Sequence, residues 1–258
     1  MNKSSSPLTV LITGATGSIG GALAEVYAEP GNTLILQGRN SERLQELQRL
    51  CRSRGARVVT GMLDVRNRDQ LTTWLQEICL HDVPDLVIVN AGVNTNIGSE
   101  GQGEEWEKVE QLIEVNVLAA MATVHAVLPS LRRRGTGQIA LISSLAAYFG
   151  LPVTPSYSAS KAALKAYGEA LRGWLGPEGI RVNVVMPGYV DSPMCRDMPG
   201  PKPLLWPPDR AARVIRRGLE HNRPRISFPF PLSYGSWWLS VLHPAISERI
   251  LRLLKYGG

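Results

Sequence analysis

Short apolar runs alternate with stretches of helical spacing along most of the chain. Leu8 to Thr13 and Thr33 to Leu36 are β-prone, and Ile19 to Ala28 between them spaces apolar residues three and four apart, which predicts strand, helix, strand. The alternation continues with a helix capped by Ser41 and running to Cys51, a strand at Arg57 to Gly61, a helix at Asp69 to Cys79 and a buried strand at Leu86 to Asn90. Helices are predicted at Trp106 to Arg134 and Ser158 to Leu175, strands at Gln138 to Ser143 and Arg181 to Met186, and a later helix at Asp209 to Glu220. Nearly continuous apolar strands that alternate with helices predict an α/β chain: one doubly wound parallel sheet of the Rossmann type, with helices on both faces. A length of 258 residues, 44% apolar, fits a single domain.

Two segments break the pattern. Asp191 to Pro208 is Pro-rich and aperiodic, which predicts a long loop at the substrate side. The tail from Ile226 onward is uncharged through Ser247, but Pro229, Pro231 and Pro244 interrupt it and argue against a membrane-spanning helix. Beyond it, Ala245 to Lys255 mixes Ile250, Leu251, Leu253 and Leu254 with Arg249, Arg252 and Lys255, an amphipathic and basic pattern.

Charge sharpens this. Residues 201 to 258 hold ten Lys/Arg against three Asp/Glu, while the first 200 hold eighteen against nineteen, so the net charge of +6 belongs to the C-terminal part. The tail either lies at a membrane surface or lines the entrance for a lipophilic substrate; alternatively it closes the core or forms a dimer interface. Cys51, Cys79 and Cys195 are widely spaced and form no ligand or disulfide pattern, so a reducing, cytoplasmic setting is expected and no metal site. The first residues, Met1-Asn2-Lys3, faintly resemble a signal peptide, but Thr13-Gly14 cuts the apolar run short, and it reads as a first strand. No nucleic-acid partner is expected.

The chemistry begins between the first strand and helix. Thr13-Gly14-Ala15-Thr16-Gly17-Ser18-Ile19-Gly20 lets the backbone turn tightly and approach a pyrophosphate at a helix N-terminus, with Gly14, Thr16, Ser18, Ile19 and Gly20 as the candidate contacts. The second strand ends Gln37-Gly38-Arg39 without the carboxylate that an NAD site presents to the ribose 2′-hydroxyl. Gly38 leaves space and Arg39 offers a fork of donors to a 2′-phosphate, which favours NADP(H) over NAD(H); the bland reading makes Arg39 the start of a solvated loop. Asp64-Val65 and Asn90-Ala91-Gly92 fall at strand C-terminal ends, where open α/β sheets bind ligands. Asp64 either accepts from an adenine amine or caps the next helix, and Asn90 either contacts the nucleotide or holds a turn.

Tyr157 and Lys161, four apart, share one helix face, so a cation can draw the phenol towards its ionised form for proton transfer. Ser144 stands thirteen residues earlier at a strand end, able to hydrogen-bond a substrate oxygen, and Asn116 lies on the long preceding helix. In this order, with Pro187-Gly188 following, the set resembles the short-chain dehydrogenase/reductase family over about residues 8 to 195. The resemblance implies that Tyr157 is the general acid or base, Ser144 steadies the carbonyl oxygen, Lys161 binds the nicotinamide ribose, and Asn116 holds a water of the relay. It also implies that Pro187, Gly188, Val190 and Ser192 flank the nicotinamide, with Ser192 in place of the more usual Thr. Ser143 is excluded as the catalytic serine by the thirteen-residue separation. The implied reaction is hydride transfer between NADP(H) and a small carbonyl or alcohol substrate. A homodimer is expected in preference to a tetramer, because the unusual tail replaces the family's Gly-rich ending. A rival reading, a nucleotide-sensing scaffold of the same fold, needs the glycine loop but not the proton relay.

Overall fold

The computed structural model describes residues 7–98 and 100–254, so Met1 to Lys3 and Lys255 lie outside the described residues. Seven strands, β1 (Thr9–Ile12), β2 (Thr33–Gly38), β3 (Arg57–Met62), β4 (Leu86–Val89), β5 (Gly137–Ile142), β6 (Ile180–Pro187) and β7 (Arg225–Phe228), form one sheet in the order β3-β2-β1-β4-β5-β6-β7. Every pairing is parallel. The chain winds outward from β1 in both directions, and the reversal between β1 and β4 opens a crevice at their C-terminal ends.

The strands are apolar on both sides because both sides are covered. Val10, Ile12, Leu34, Leu36 and Ile88 pack against α1 (Ser18–Tyr27), α2 (Ser41–Ser53) and α8 (Pro208–Glu220) through Leu23, Leu47 and Ile215. Leu11, Ile35, Val87, Ile139 and Leu141 point the other way, onto α3 (Arg68–His81), α5 (Ala119–Arg134) and α6 (Pro155–Leu175). A π-helical turn, Glu114–Leu118, joins α4 (Trp106–Ile113) to α5, so the predicted helix from Trp106 to Arg134 is continuous but locally widened at Asn116. This stretch is long and apolar enough to cross a bilayer, yet the helix it forms is part of the core and packs on the sheet.

Several details differ from expectation. Asn40 caps α2, accepting from the Arg43 amide at 2.9 Å, because its side chain precedes the first turn while Ser41 already lies within it. Strand β7 adds an edge partner to β6 where only an uncharged tail is expected. The aperiodic segment after β6 contains a single short helix, α7 (Pro193–Arg196), and a bridge between Val190 and Trp206. The tail then forms two helices, α9 (Leu232–Val241) and α10 (Pro244–Leu253), tied where the Ser247 hydroxyl donates to the Leu239 carbonyl at 2.8 Å.

Candidate active site

The glycine turn is built from close approaches. Gly14 has φ +64°, and a Cβ there would stand 2.7 Å from the Ala91 Cα. The Gly14 amide donates to Gln37 Oε1 at 2.9 Å, while Asn90 donates from Nδ2 to the carbonyls of Thr13 and Gly14, both at 3.0 Å. Asn90 therefore staples β4 to the loop. At α1, Gly17 offers no side-chain cap and the first turn carries no acid, so its amides and the positive end of the helix dipole suit an anion. Gly20 faces away from the cavity: a Cβ there would meet the Gly14 carbonyl oxygen at 2.3 Å, so its role is to seat α1 under the loop.

At the end of β2, the space beside Gly38 is filled by the Thr16 side chain, whose Cγ2 would be 2.5 Å from a Cβ at Gly38. Arg39 lines the cavity with its side chain 53% exposed and 3.7 Å from Asp64 Oδ2. Asp64 neither lines the cavity nor caps a helix. Its carboxylate accepts from the Arg66 amide and guanidinium at 2.8 to 3.0 Å, which holds its pKa below the ordinary value, and Asn67 caps α3 instead. Arg43, one turn into α2, also lines the cavity and donates to the Thr16 carbonyl at 3.4 Å, a second cation that the sequence reading missed.

The residues expected to carry proton transfer come from three places in the fold. Ser143 and Ser144 directly follow β5; α6 brings Tyr157 and Lys161 one turn apart; the π-helical turn brings Asn116. Ser143 is buried and its hydroxyl donates to the Lys161 carbonyl at 2.7 Å, so it holds backbone together. Ser144 lies against the Tyr157 phenol, and its hydroxyl donates to the Pro187 carbonyl at 3.4 Å and accepts from the Ala146 amide at 3.2 Å. Lys161 is buried, donates from Nζ to the Ile142 carbonyl at 2.9 Å and stands 5.6 Å from the Tyr157 ring centroid. Burial pushes the Tyr157 phenol up to about 12, against a smaller lowering by Ser144, and pulls the Lys161 ammonium down to about 8. Asn116 lies behind the cavity wall: Oδ1 accepts from the Val93 amide at 2.8 Å, and Nδ2 donates to the Val93 carbonyl at 2.9 Å and to Ser160 Oγ at 3.0 Å. Gly92 leaves room between Asn116 and Lys161, since a Cβ there would lie 3.3 Å from Asn116 Oδ1 and 3.4 Å from Lys161 Nζ.

A cavity of about 700 Å³ joins these parts. Gly14, Thr16, Ser18, Ile19, Arg39, Val65, Asn90, Ala91 and Gly92 line one end, and Ser144, Tyr157, Lys161, Pro187, Gly188, Val190 and Ser192 line its middle. Ser192 caps α7, accepting from the Cys195 amide at 3.0 Å, and the Gly188 amide is held by the Phe228 carbonyl at 2.7 Å. Among the described residues, the charged ones that line the cavity are Arg39, Arg43 and Lys161, all cationic. Past Tyr157 the wall turns apolar, with Phe149, Leu151 and Met198 facing Leu239, Leu242 and Leu251 of the tail. The inner side of the tail thus lines the cavity, one of the alternatives that its sequence leaves open.

A crevice at the topological switch of a parallel sheet, fed by a glycine turn and ending on a half-buried Tyr and a buried Lys, defines a nucleotide-linked oxidoreductase fold. The chain belongs to the short-chain dehydrogenase family: the family model described as short chain dehydrogenase matches residues 8–201. An "Uncharacterized oxidoreductase" of Myxococcus xanthus is 33% identical over 251 residues, covering 96% of this chain and 97% of that protein. Among solved structures, a short-chain dehydrogenase from Sphingobium yanoikuyae in complex with NADPH is 26% identical with a TM-score of 0.79, covering 96% of this chain and 95% of that one. One from Burkholderia cenocepacia in complex with NADP is also 26% identical, with a TM-score of 0.80 and 95% and 98% coverage.

Proposed function

We propose that the protein is an NADP(H)-dependent reductase of lipophilic ketones or aldehydes, able to run in reverse on the alcohols, working in a reducing, cytoplasmic setting. The observation that carries this is the continuity of the cavity, cationic and glycine-lined at one end, apolar at the other, with Tyr157 between them. The cofactor, when bound, supplies or accepts the hydride.

The chain's own residues supply the rest. Arg39 and Arg43 flank the end of β2, where among the described residues no lining carboxylate opposes a 2′-phosphate. The uncapped first turn of α1 receives the pyrophosphate. Ser144 and Tyr157 both reach the substrate oxygen; Ser144 donates a hydrogen bond and Tyr157 hands over its proton during reduction. A phenol pushed up to about 12 stays protonated at neutral pH, which suits it to act as the acid in the reductive direction. Lys161 stabilises the phenolate left behind and holds the ribose, and Asn116 with Ser160 positions the wall through which a proton returns. The apolar far wall, with no charged residue beyond Lys161 among the described residues, selects a substrate with a hydrophobic body. Three buried free thiols fit a reducing compartment.

Titration with NADPH and NADH, followed by nucleotide fluorescence, tests the cofactor half, and a screen of carbonyl compounds graded in polarity tests the substrate half. Preference for NADPH and turnover of apolar ketones or aldehydes is the expected result. Binding of neither nucleotide overturns the proposal.

A further inference from the structure

The outward face of the tail is apolar and unpartnered among the described residues. In α9, Tyr234, Trp237 and Val241 recur at the spacing of one helix face, and each is between 38 and 54% exposed, while Trp238 beside them lines the cavity. No residue of α9 is buried, although the helix carries no charge. The Tyr234 and Trp237 rings cluster with the Trp238 ring, with centroids 5.3 to 6.0 Å apart. Phe230 beside them is 80% exposed, and Ile246 and Leu253 of α10 are exposed as well. The inward residues of the same hairpin, Leu239, Leu242 and Leu251, face the cavity, so the outward face is not needed to close the core.

Two features say what covers this face. The first is charge: Arg249 and Arg252 of α10 are exposed beside it, Arg249 has no carboxylate within ion-pair distance among the described residues, and Arg252 reaches Glu248 only at 3.9 Å. A two-fold dimer through this patch would bring the same cationic rim against itself. An anionic surface meets it with opposite sign. The second is residue type, since Trp and Tyr have an apolar body and a polar edge that suit the headgroup boundary of a bilayer. Each helix is ten residues long, too short to span, which leaves the hairpin lying in the interface plane.

We propose that the α9–α10 hairpin docks this protein on anionic lipid bilayers, with Tyr234, Trp237 and Val241 in the headgroup boundary and Arg249 and Arg252 on the lipid phosphates. The cavity wall is the other side of that hairpin, so docking places the apolar end of the site next to the phase where a lipophilic molecule concentrates. The docking itself is independent of the reaction proposed above.

The test is flotation with vesicles of phosphatidylcholine alone and of phosphatidylcholine with phosphatidylglycerol, at low and high salt, read together with Trp fluorescence and with sedimentation of the lipid-free protein. The protein is expected to float with the anionic vesicles, with a blue-shifted emission, and to be released by salt. Arg249→Gln is expected to weaken partition by about fivefold, the contribution of one basic residue at an anionic surface. The triple variant Tyr234→Ser, Trp237→Ser, Val241→Ser is expected to keep its circular dichroism and melting profile and to lose flotation. Wild-type protein that stays soluble with anionic vesicles overturns the proposal. So does a triple variant that still floats, or a lipid-free dimer that the triple variant dissociates.

Discussion

Lys161 donates from Nζ to the Ile142 carbonyl at 2.9 Å and holds its nitrogen 5.6 Å from the centre of the Tyr157 ring. The cation is thus anchored to the end of β5, and a buried ammonium at that point is costly, which is why its pKa falls to about 8 from 10.5. Between those two values the unfolded chain holds the proton more tightly than the folded one, so stability rises with pH through that window as the folding penalty is relieved. Below it the penalty is fully present; above it the group contributes nothing. Urea unfolding of wild type and Lys161→Met across pH 8 to 10.5 is expected to show a steeper rise in the wild type. Parallel slopes would contradict a buried, charged Lys161.

Arg39 stands 3.7 Å from Asp64, but Asp64 is held more closely by Arg66, which leaves the Arg39 guanidinium available to a phosphate. Arg39→Ala is expected to weaken NADPH binding by about tenfold or more and to leave NADH binding nearly unchanged, as lost charge-assisted hydrogen bonds do. Adding Arg43→Ala is expected to weaken NADPH further. Calorimetric titration of each variant with both nucleotides checks this.

Much of this arrangement is legible in the sequence because it rests on local rules. The apolar run Leu86 to Val89 identifies a strand covered on both sides, the glycines after β1 identify a turn with close backbone approaches, and the four-residue step from Tyr157 to Lys161 places two side chains on one helix face. What escapes depends on distant neighbours. Arg43 reaches the cavity only because α2 runs past Thr16, and nothing in its own window shows that. Gly38 reads as open space, yet Thr16 from another strand end fills it. Four-residue β7 is flanked by charge and proline and exists through its pairing with β6, which no local period reveals. The π-helical turn at Asn116 leaves no mark on an apolar pattern, and α9 is masked by the prolines before it and by Gly235.

The two neighbouring glycines of α1 separate packing from propensity. A methyl at Gly20 would press on the Gly14 oxygen at 2.3 Å and the Ala15 Cα at 2.9 Å, both backbone, so Gly20→Ala is expected to cost about 1–3 kcal/mol and to lower nucleotide affinity by displacing the turn. At Gly21 the nearest atom is the Ala15 oxygen at 3.5 Å, an ordinary contact, and Gly21→Ala is expected to be neutral or to stabilise by about 0.5–1 kcal/mol. Thermal unfolding with and without NADPH distinguishes the two.

Because burial raises the Tyr157 phenol to about 12, its base form gains with pH well into the alkaline range. Alcohol oxidation, which needs that form, is expected to keep accelerating with rising pH up to the point of unfolding, while carbonyl reduction, which needs the phenol, stays level until the pH approaches about 12. Initial rates in both directions across a common buffer series check the rising and the level profile.

The most direct test of Tyr157 as the proton donor at the junction of the cationic and apolar ends is the rate of NADPH oxidation with an apolar ketone, in wild type and in Tyr157→Phe. The predicted result is turnover by the wild type, and a kcat about 10²–10⁴-fold lower in the variant with NADPH affinity retained. Equal rates in the two proteins, or NADPH binding by the wild type without turnover of any ketone or aldehyde, would contradict it.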